Sequence, residues 1–180
     1  NPEVKVGMFT YGTGRDLSRS LKLSRDLERM LDHIRRDKTR TIDTGLAKFT
    51  NHEGESTERY FANISSFGMG GEVDHLMKTR FTKMGWNGSI AYFLAIITTL
   101  SRYQNPEVEL IMDGEHYWKG RIRNVAIANG CYFGGGLKIA PDAKLDDAHF
   151  EVIIIGDATA GYLLRNAHHF YRGRHPSLKH

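Results

Sequence analysis

The residues best suited to chemistry lie in one stretch, residues 129–152, which reads NGCYFGGGLKIAPDAKLDDAHFEV. It contains three consecutive glycines, at 134–136, and three aspartates, Asp142, Asp146 and Asp147. Glycine lets backbone amides approach a ligand closely, and carboxylate oxygens are ligands that hard divalent cations prefer. Apolar runs bound the stretch on both sides, so we predict two strands joined by a long functional loop. Such a loop is suited to holding a cation.

A second candidate site lies near the N-terminus, where an apolar run at residues 4–9 precedes YGTGRD, residues 11–16, and then LSRSLKL. We predict a short strand, a glycine-bracketed turn and a polar-capped segment, an arrangement in which backbone N–H groups can bind a phosphate. The letters GTG are a weak pattern by themselves, and a structural turn is the commoner explanation. Both interpretations stay open on the pattern alone.

The composition is that of a folded domain. With 180 residues, 40% hydrophobic and 26% charged, the chain is long enough for one compact core and lies outside the disordered range. The net charge of +4 permits a polyanionic partner, but the basic cluster at 35–40 lacks interleaved aromatics, so we expect no nucleic-acid partner. Cys131 is the only cysteine, which excludes an internal disulfide. The N-terminus has no signal-peptide pattern, and the longest apolar run is about half the roughly 20 residues that span a bilayer, so we expect a cytoplasmic protein.

Hydrophobic periodicity assigns the remaining segments to helices and strands. Residues 24–37 predict an amphipathic helix with Ser24 as its N-cap, and residues 89–103 predict an apolar helix buried on most of its surface. Asp113 and Gly114 form a hairpin-type turn dipeptide, which we expect to join strands at 108–112 and 121–128. Further strands are predicted at 41–49, 59–67 and 149–155, and further helices at 73–84 and from 158 onward.

The order of several segments resembles the bacterial diacylglycerol kinase-like lipid kinase family, which includes relatives of sphingosine and ceramide kinases. The segments are GTGRDLSRSL, the pair Ile42-Asp43, YFANISSFG, MDGE and VAIANGCYFGGGLKIAPDAKLDDAHFEVIII. The similarity runs along nearly the whole chain, in the family's order. ANGxYFGGGxxIAPDAxxDD is a specific motif, far more so than GTG.

The resemblance implies a two-domain kinase, with an N-terminal α/β domain that carries a GGDGT nucleotide loop and a C-terminal β-rich sandwich. It implies an α+β fold for this chain. Residues 1–42 would be the C-terminal edge of the α/β domain, with its last strand and helix. Residues 43–180 would be a mostly antiparallel β-sandwich with flanking helices, incomplete at its C-terminus. GGDGT does not occur in these 180 residues.

The catalytic base is also implied to lie elsewhere. The family's DGE motif, whose aspartate is the base, corresponds to sequence beyond residue 180, and the DGE at Asp113 belongs to the earlier hairpin. We therefore expect the 180 residues alone to be inactive.

The resemblance also implies site residues. GTGRD matches the family's GTGND loop, which approaches ATP, and Arg19 matches its following basic position. Arg15 replaces the usual asparagine, and a guanidinium only donates hydrogen bonds whereas an amide also accepts them. The implied ATP-binding residues are Gly12, Thr13, Gly14 and Asp16.

A magnesium site is implied in PDAKLDDA, where the family uses one aspartate side chain flanked by two backbone carbonyls. These correspond to the Asp147 carboxylate and the carbonyls of Lys144 and His149. Ala148 stands where the family usually has glycine, so a positive φ there would cost about 1 kcal/mol. A solvated turn before a strand is the alternative explanation of Asp146 and Asp147.

The function implied is phosphoryl transfer from ATP to the hydroxyl of diacylglycerol or a similar lipid at a membrane surface, assisted by Mg²⁺. The protein would be cytoplasmic and peripheral to the membrane, and a homodimer stays open. One alternative is a nucleotide kinase related to NAD kinases, which share the two-domain plan. Another is a non-catalytic lipid-binding or regulatory module of kinase descent, which the Arg15 and Ala148 departures keep open.

Overall fold

The computed structural model describes residues 5–11, 14–51, 53–81 and 88–175. Its helices are α1 (Asp16–Ser20), α2 (Leu27–Arg35), α3 (Met69–Leu76), α4 (Gly88–Arg102) and α5 (Ala160–Arg172), and α3 continues into a π-helical turn, Met77–Phe81. Its strands are β1 (Gly45–Thr50), β2 (Ser56–Phe61), β3 (Ile64–Gly68), β4 (Glu107–Met112), β5 (Glu115–Arg121), β6 (Asn124–Ala128) and β7 (Glu151–Ile155).

Every strand pair in the described part of the chain is antiparallel. The pairs form a sheet of β1 and β2, a sheet in the order β3-β6-β7, and a sheet of β4 and β5. Helices flank these sheets, which confirms the predicted α+β class. The division of the chain at residue 42 stays a prediction.

Strand β6 is the central strand of the three-stranded sheet and is almost completely buried. Its apolar sequence, NVAIA, is typical of a strand covered on both faces rather than of one that alternates between core and solvent. β6 and β7 are neighbours, and the residues between them form the predicted long loop. Within this loop Ile139 and Ala140 are about 1% exposed and pack against Ala128, so the loop is partly core.

The hairpin of β4 and β5 turns at the predicted dipeptide. Asp113 and Gly114 have φ values of 51° and 85°, as a two-residue hairpin turn with two left-handed positions requires. The predicted pairing of 108–112 with 121–128 is wrong, because the partner of β4 is Glu115–Arg121, although a strand, β6, does occupy Asn124–Ala128. The more apolar segment that follows is β6, the buried central strand of the three-stranded sheet.

The predicted strand at 59–67 is two strands. β2 ends at Phe61 and pairs with β1, whereas β3 starts at Ile64 and pairs with β6. The chain changes sheets at Asn63, whose carbonyl accepts hydrogen bonds from the amides of Asn129 and Gly130, at 2.8 and 2.9 Å. Sequence periodicity does not report such a long-range contact.

Two N-terminal predictions need correction. Residues 5–11 form no strand, because no described strand lies beside them to supply ladder hydrogen bonds. The helix predicted at 24–37 is shorter, and its N-cap is Asp26, whose carboxylate accepts a hydrogen bond from the Arg29 amide at 2.9 Å. Ser24 instead accepts a hydrogen bond from the Asp26 amide, one step before the helix.

Helix α4 matches its predicted position but is buried on one side only. Ala91 and Ala95 lie in a core cluster with Val73 and Phe81, because small side chains let α3 and the π-helical turn approach closely. Ile90 and Phe93 are 56% and 60% exposed, so the predicted burial does not extend to their side of the helix. No helix in the described ranges is long and apolar enough to span a membrane.

Candidate functional site

The site begins with the contact between α1 and the loop that joins β6 to β7. The Asp16 carboxylate accepts a hydrogen bond from the Gly135 amide at 2.8 Å, and the Ser20 hydroxyl accepts one from the Cys131 amide at 3.0 Å. Asp16 and Ser20 are four residues apart and therefore lie on one face of the helix. Two segments that the sequence analysis selected separately are thus held together.

Glycine is needed in this loop for two different reasons. At Gly130 a Cβ atom would lie 2.1 Å from Asn63 Oδ1 and 2.8 Å from Ser20 Oγ, so any side chain would separate the loop from both neighbours. Gly135 has a φ of 81°, a conformation that orients its amide toward Asp16 and that other residues rarely adopt. Paired hydrogen bonds between Phe133 and Leu137, both 3.0 Å, close this glycine turn.

Asp16 uses both of its carboxylate oxygens within the protein. One binds Gly135, and the other accepts a hydrogen bond from Arg19 Nη1 at 2.5 Å. Arg19 also donates to the Gly14 carbonyl, and a Cβ atom on Gly136 would lie 3.4 Å from its guanidinium carbon. Asp16 therefore positions the glycine turn, and the predicted direct contact of Asp16 with ATP stays a prediction.

The other predicted nucleotide residues are only partly described. Gly14 is described and contributes its carbonyl to Arg19, whereas Gly12 and Thr13 lie outside the described residues. Arg15 has a φ of 56° and a ψ of 26°, in the left-handed region where asparagine is enriched and arginine is not. Its Nε atom is buried without a hydrogen-bond partner in the described chain. Arginine in place of the family's asparagine at position 15 thus carries a local conformational cost and also changes the hydrogen-bonding chemistry of the loop.

Asp43 organises the aspartate part of the loop. Its carboxylate accepts a hydrogen bond from the Ala148 amide at 2.8 Å, its own amide donates to the Leu145 carbonyl, and its carbonyl accepts from the Asn129 side chain at 2.7 Å. Ala148 has a φ of 60°, so this position does require the left-handed conformation that glycine tolerates better. The resemblance includes Asp43 but implies no role for it.

The groups of the predicted magnesium site are chemically available. Asp147 is exposed, and one of its carboxylate oxygens accepts a hydrogen bond from the His149 amide at 3.2 Å. Within the described chain its second oxygen and the carbonyls of Lys144 and His149 accept no hydrogen bond. The described residues contain no group of three or more His, Cys, Asp or Glu side chains that could together hold a metal ion. A site of one carboxylate, two carbonyls and water suits Mg²⁺ and stays a prediction.

Asp146, unlike Asp147, forms an ion pair with a basic side chain. Its carboxylate accepts hydrogen bonds from Arg40 Nε and Nη2 at 3.2 and 2.9 Å, and both side chains are about half exposed. The ion pair links the segment after α2 to the loop. Its contribution to stability is about 0–1 kcal/mol, as is typical of exposed pairs.

A basic cavity, which the sequence analysis missed, lies between α1 and loop residues 131–146 and has a volume of about 590 Å³. The cations come from three separate segments, so no local pattern could reveal their convergence. The only sequence signal was that Lys138 and Lys144 lie inside the specific motif. The basic side chains that line the cavity are Arg19, Lys22, Arg40, Lys138 and Lys144, and the acidic ones are Asp142 and Asp146.

Helix α5 holds the loop from the other side. The Lys138 amide donates to the Phe170 carbonyl at 3.0 Å, and His175 Nε2 donates to the Ile139 carbonyl at 2.8 Å. The His175 ring also stacks on Phe170, with centroids 4.8 Å apart. Burial lowers the pKa of His175, although the hydrogen bond to Ile139 opposes the shift. The loop is therefore fixed between α1 and α5.

Two groups near the loop are held protonated. Burial, with smaller effects from the Asp74 and Asp16 charges, raises the pKa of Tyr92 to about 12. Burial also raises the pKa of the Cys131 thiol, which donates to the Ala143 carbonyl at 3.2 Å. Neither group is suited to act as a base or nucleophile at neutral pH.

Comparison with known proteins places this site in a family. Residues 64–180 match the family described as the YegS C-terminal NAD kinase beta sandwich-like domain. A diacylglycerol kinase of Mycobacterium tuberculosis is 26% identical over 98% of this chain and 55% of its own length. A diacylglycerol kinase of Bacillus subtilis is 28% identical over 97% of this chain and 54% of its own length. The chain thus spans about half the length of these relatives.

A solved structure supports the same fold. The crystal structure of a diacylglycerol kinase from Bacillus anthracis superimposes with a TM-score of 0.51 at 21% identity, covering 91% of this chain and 47% of that one. At this identity the likeness concerns the fold alone. The sequence matches carry the family assignment and confirm the predicted resemblance. The chain belongs to the YegS C-terminal, NAD kinase beta-sandwich-like domain family.

Proposed function

We propose that the intact protein transfers the γ-phosphoryl group of ATP to the hydroxyl of diacylglycerol or a similar lipid, with the assistance of Mg²⁺. Family membership and the names of the relatives support this choice. The observation that carries it is the hydrogen bond between Asp16 and Gly135, because it joins the GTGRD segment to the specific glycine and aspartate loop.

Catalysis in this proposal is mostly positioning and charge neutralisation. The lipid oxygen attacks the γ-phosphorus, the bond to the bridging oxygen breaks, and ADP leaves. In this proposal Gly12, Thr13 and Gly14 would contact ATP, and Asp16 and Arg19 would keep the glycine turn in place. A bound Mg²⁺, held by Asp147 and the carbonyls of Lys144 and His149, supplies positive charge to this wall of the site.

The hydroxyl proton goes to a base that we place outside these 180 residues. Tyr92 and Cys131 are half-buried groups beside the loop, and their raised pKa values keep them protonated. As part of the proposal, we expect the 180-residue chain alone to show no turnover and the intact protein to be active.

We propose that the acceptor is reached at the cytoplasmic membrane surface. Ile90 and Phe93 on α4 are more than half exposed, and Lys78 and Arg80 are exposed on the π-helical turn that packs against α4. Apolar and basic side chains on neighbouring elements are the combination that binds an anionic lipid surface. A homodimer stays a prediction.

An acceptor screen tests the proposal. The intact protein is incubated with ATP and Mg²⁺ and offered diacylglycerol in mixed micelles or NAD in solution. We expect phosphorylated lipid and no phosphorylated NAD. Phosphorylation of NAD alone would establish the nucleotide-kinase alternative. Vesicle binding without turnover, unchanged by nucleotide or Mg²⁺, would establish the non-catalytic alternative.

A further inference from the structure

We propose that His175 is a positioning residue of the phosphoryl-transfer site, which holds residues 138–141 in place while its imidazole is neutral and releases them when it is protonated. This role rests on the proposed function and deepens it, because it gives the same loop a pH-dependent control. The hydrogen-bond partner of His175, Ile139, and its stacking partner, Phe170, are not among the residues assigned to ATP or Mg²⁺. His175 therefore acts through the loop and not on the reacting atoms.

The His175 ring is fixed by two contacts of different kinds. Nε2 donates a hydrogen bond to the Ile139 carbonyl at 2.8 Å, and the ring stacks on Phe170 with an angle of 12° between the ring planes. A carbonyl only accepts, so Nε2 carries the proton and Nδ1 is the bare nitrogen of the neutral ring. Nδ1 is buried and has no hydrogen-bond partner in the described part of the chain. The surroundings of the ring therefore fit the neutral imidazole.

The end of α5 packs closely against the same part of the loop. The Lys138 amide donates a hydrogen bond to the Phe170 carbonyl at 3.0 Å. At Gly173, where φ is 65°, a Cβ atom would lie 2.9 Å from Lys138 Cδ and 3.1 Å from Pro141 Cβ. The two segments thus meet without room for a side chain between them, so a shift of the end of α5 displaces the loop.

The segment that His175 holds connects the glycine turn to the aspartate part of the loop. Ile139 and Ala140 are about 1% exposed and pack against Ala128 of β6. The Ala140 amide donates to the Cys131 carbonyl at 3.2 Å, and the Ala140 carbonyl accepts from the Ala143 amide at 3.3 Å. Because a close-packed interior transmits a displacement instead of absorbing it, the position of Ile139 affects both functional parts of the loop.

Protonation of His175 removes this fit. The added proton binds Nδ1, where it creates a buried N–H donor and a positive charge with no acceptor among the described residues. Burial lowers the pKa of His175, and the hydrogen bond to Ile139 opposes the shift only in part. The contact is therefore present while His175 is neutral and is lost as the pH falls through the folded-state pKa, which lies below 6.5.

No neighbouring charge accounts for this behaviour. The causes of the lowered pKa of His175 are its burial and the hydrogen bond to Ile139, and no charged group contributes. The titratable and charged groups of the described elements packed against the ring are Lys138 and Asp142 on the loop, and His168, His169, Arg172 and Arg174 at the end of α5. The pH dependence therefore follows from the geometry of the contact.

The first test uses the intact protein without substrate. NMR measures the titration of the His175 ring, and hydrogen exchange measures the protection of the Lys138 amide at each pH, corrected for its intrinsic exchange rate. We expect protection to fall with the same midpoint as the His175 titration, by up to about tenfold for each pH unit below it. Different midpoints, or protection that does not change with pH, would overturn the proposal.

The second test is the pH profile of lipid phosphorylation. His175→Gln removes the titration and keeps an N–H donor for Ile139. His116→Gln is the matched control, because His116 is 73% exposed on the hairpin of β4 and β5. Effects of pH on ATP, Mg²⁺, the lipid and the base are the same in all three proteins. Between about pH 7.5 and pH 5.5, we expect kcat of the wild type and the control to fall about threefold more than kcat of His175→Gln.

The outcomes distinguish this inference from the proposed function. Activity of His175→Gln that is lower at every pH but falls with acid as in the wild type would show that His175 only packs, and would overturn the proposal. A protein with no turnover at any pH would refute the proposed function, and the exchange of the Lys138 amide would then decide the pH-dependent contact. If His175→Gln unfolds, the wild-type comparison of the His175 titration with Lys138 exchange still gives the decision.

Discussion

Replacing Asp16 by asparagine tests whether α1 and the glycine turn form one unit. The carboxylate binds the Gly135 amide at 2.8 Å and Arg19 at 2.5 Å, and the two side chains are only 14% and 29% exposed. Asparagine keeps the shape but loses the charge, and it replaces one of the two acceptor oxygens by an NH2 donor. Because Arg19 and Gly135 bind different oxygens, one of them loses its acceptor.

The magnitude follows from these two contacts. A hydrogen bond to a charged group contributes about 1.5–3 kcal/mol, whereas an exposed ion pair contributes about 0–1 kcal/mol. Because the pair is largely shielded from water, we expect Asp16→Asn to lower the free energy of unfolding by about 2 kcal/mol, roughly a 30-fold shift in the folding equilibrium. The Gly135 amide should also exchange with solvent faster.

Urea unfolding of the two proteins measures the stability difference, and hydrogen exchange of the Gly135 amide locates it. Asp26→Asn is the matched control, because Asp26 caps α2 far from the loop in sequence and asparagine is an equally good N-cap. If Asp16→Asn leaves both the urea midpoint and the exchange of Gly135 unchanged, the docking of α1 does not hold the loop and our reasoning is wrong.

Three further substitutions probe the loop and its supports. Ala148→Gly should raise the free energy of unfolding by about 1 kcal/mol, because residue 148 has a φ of 60°; unchanged or lower stability in urea would contradict this. Gly130→Ala should lower the free energy of unfolding by about 1–3 kcal/mol, because the added methyl group would contact Asn63. Gly161→Ala is the control, because a Cβ atom there would have nothing within 4 Å, and it should not lower the free energy of unfolding. Equal urea midpoints for the two variants would contradict this. Because burial lowers the pKa of His175 from 6.5, the folded chain favours the neutral imidazole. The stability that the neutral His175 side chain contributes should therefore be fully present above pH 6.5 and should be lost as the pH falls below that value. His175→Gln should flatten this dependence, and an unchanged urea titration would exclude His175 as its source.

The parts of the fold that local sequence determines were predictable. The Asp113-Gly114 dipeptide specifies a two-residue turn, and the structure has both residues at positive φ. The apolar runs on either side of the long loop do form neighbouring strands, β6 and β7. Ala148 at a glycine position was expected to adopt a positive φ if the loop required one, and it does. Each of these features depends on a few consecutive residues.

The features that were missed depend on contacts between distant segments. The chain leaves one sheet at Asn63 because its carbonyl binds the amides of Asn129 and Gly130, about 65 residues away. The N-cap of α2 is Asp26 rather than the predicted Ser24, because the helix starts later than its apolar periodicity suggested. The basic cavity combines Arg19 and Lys22, Arg40, and Lys138 and Lys144, whose proximity exists only in the folded chain.

The central claim is that the intact protein phosphorylates a lipid hydroxyl, and label transfer tests it most directly. The intact protein is given ATP with a radiolabelled γ-phosphate and diacylglycerol in mixed micelles, and labelled lipid is extracted over time. We predict labelled phosphatidic acid that requires Mg²⁺, is reduced by Asp16→Asn and is unaffected by Asp26→Asn. Absence of labelled lipid with the folded intact protein, with or without Mg²⁺, would contradict the claim.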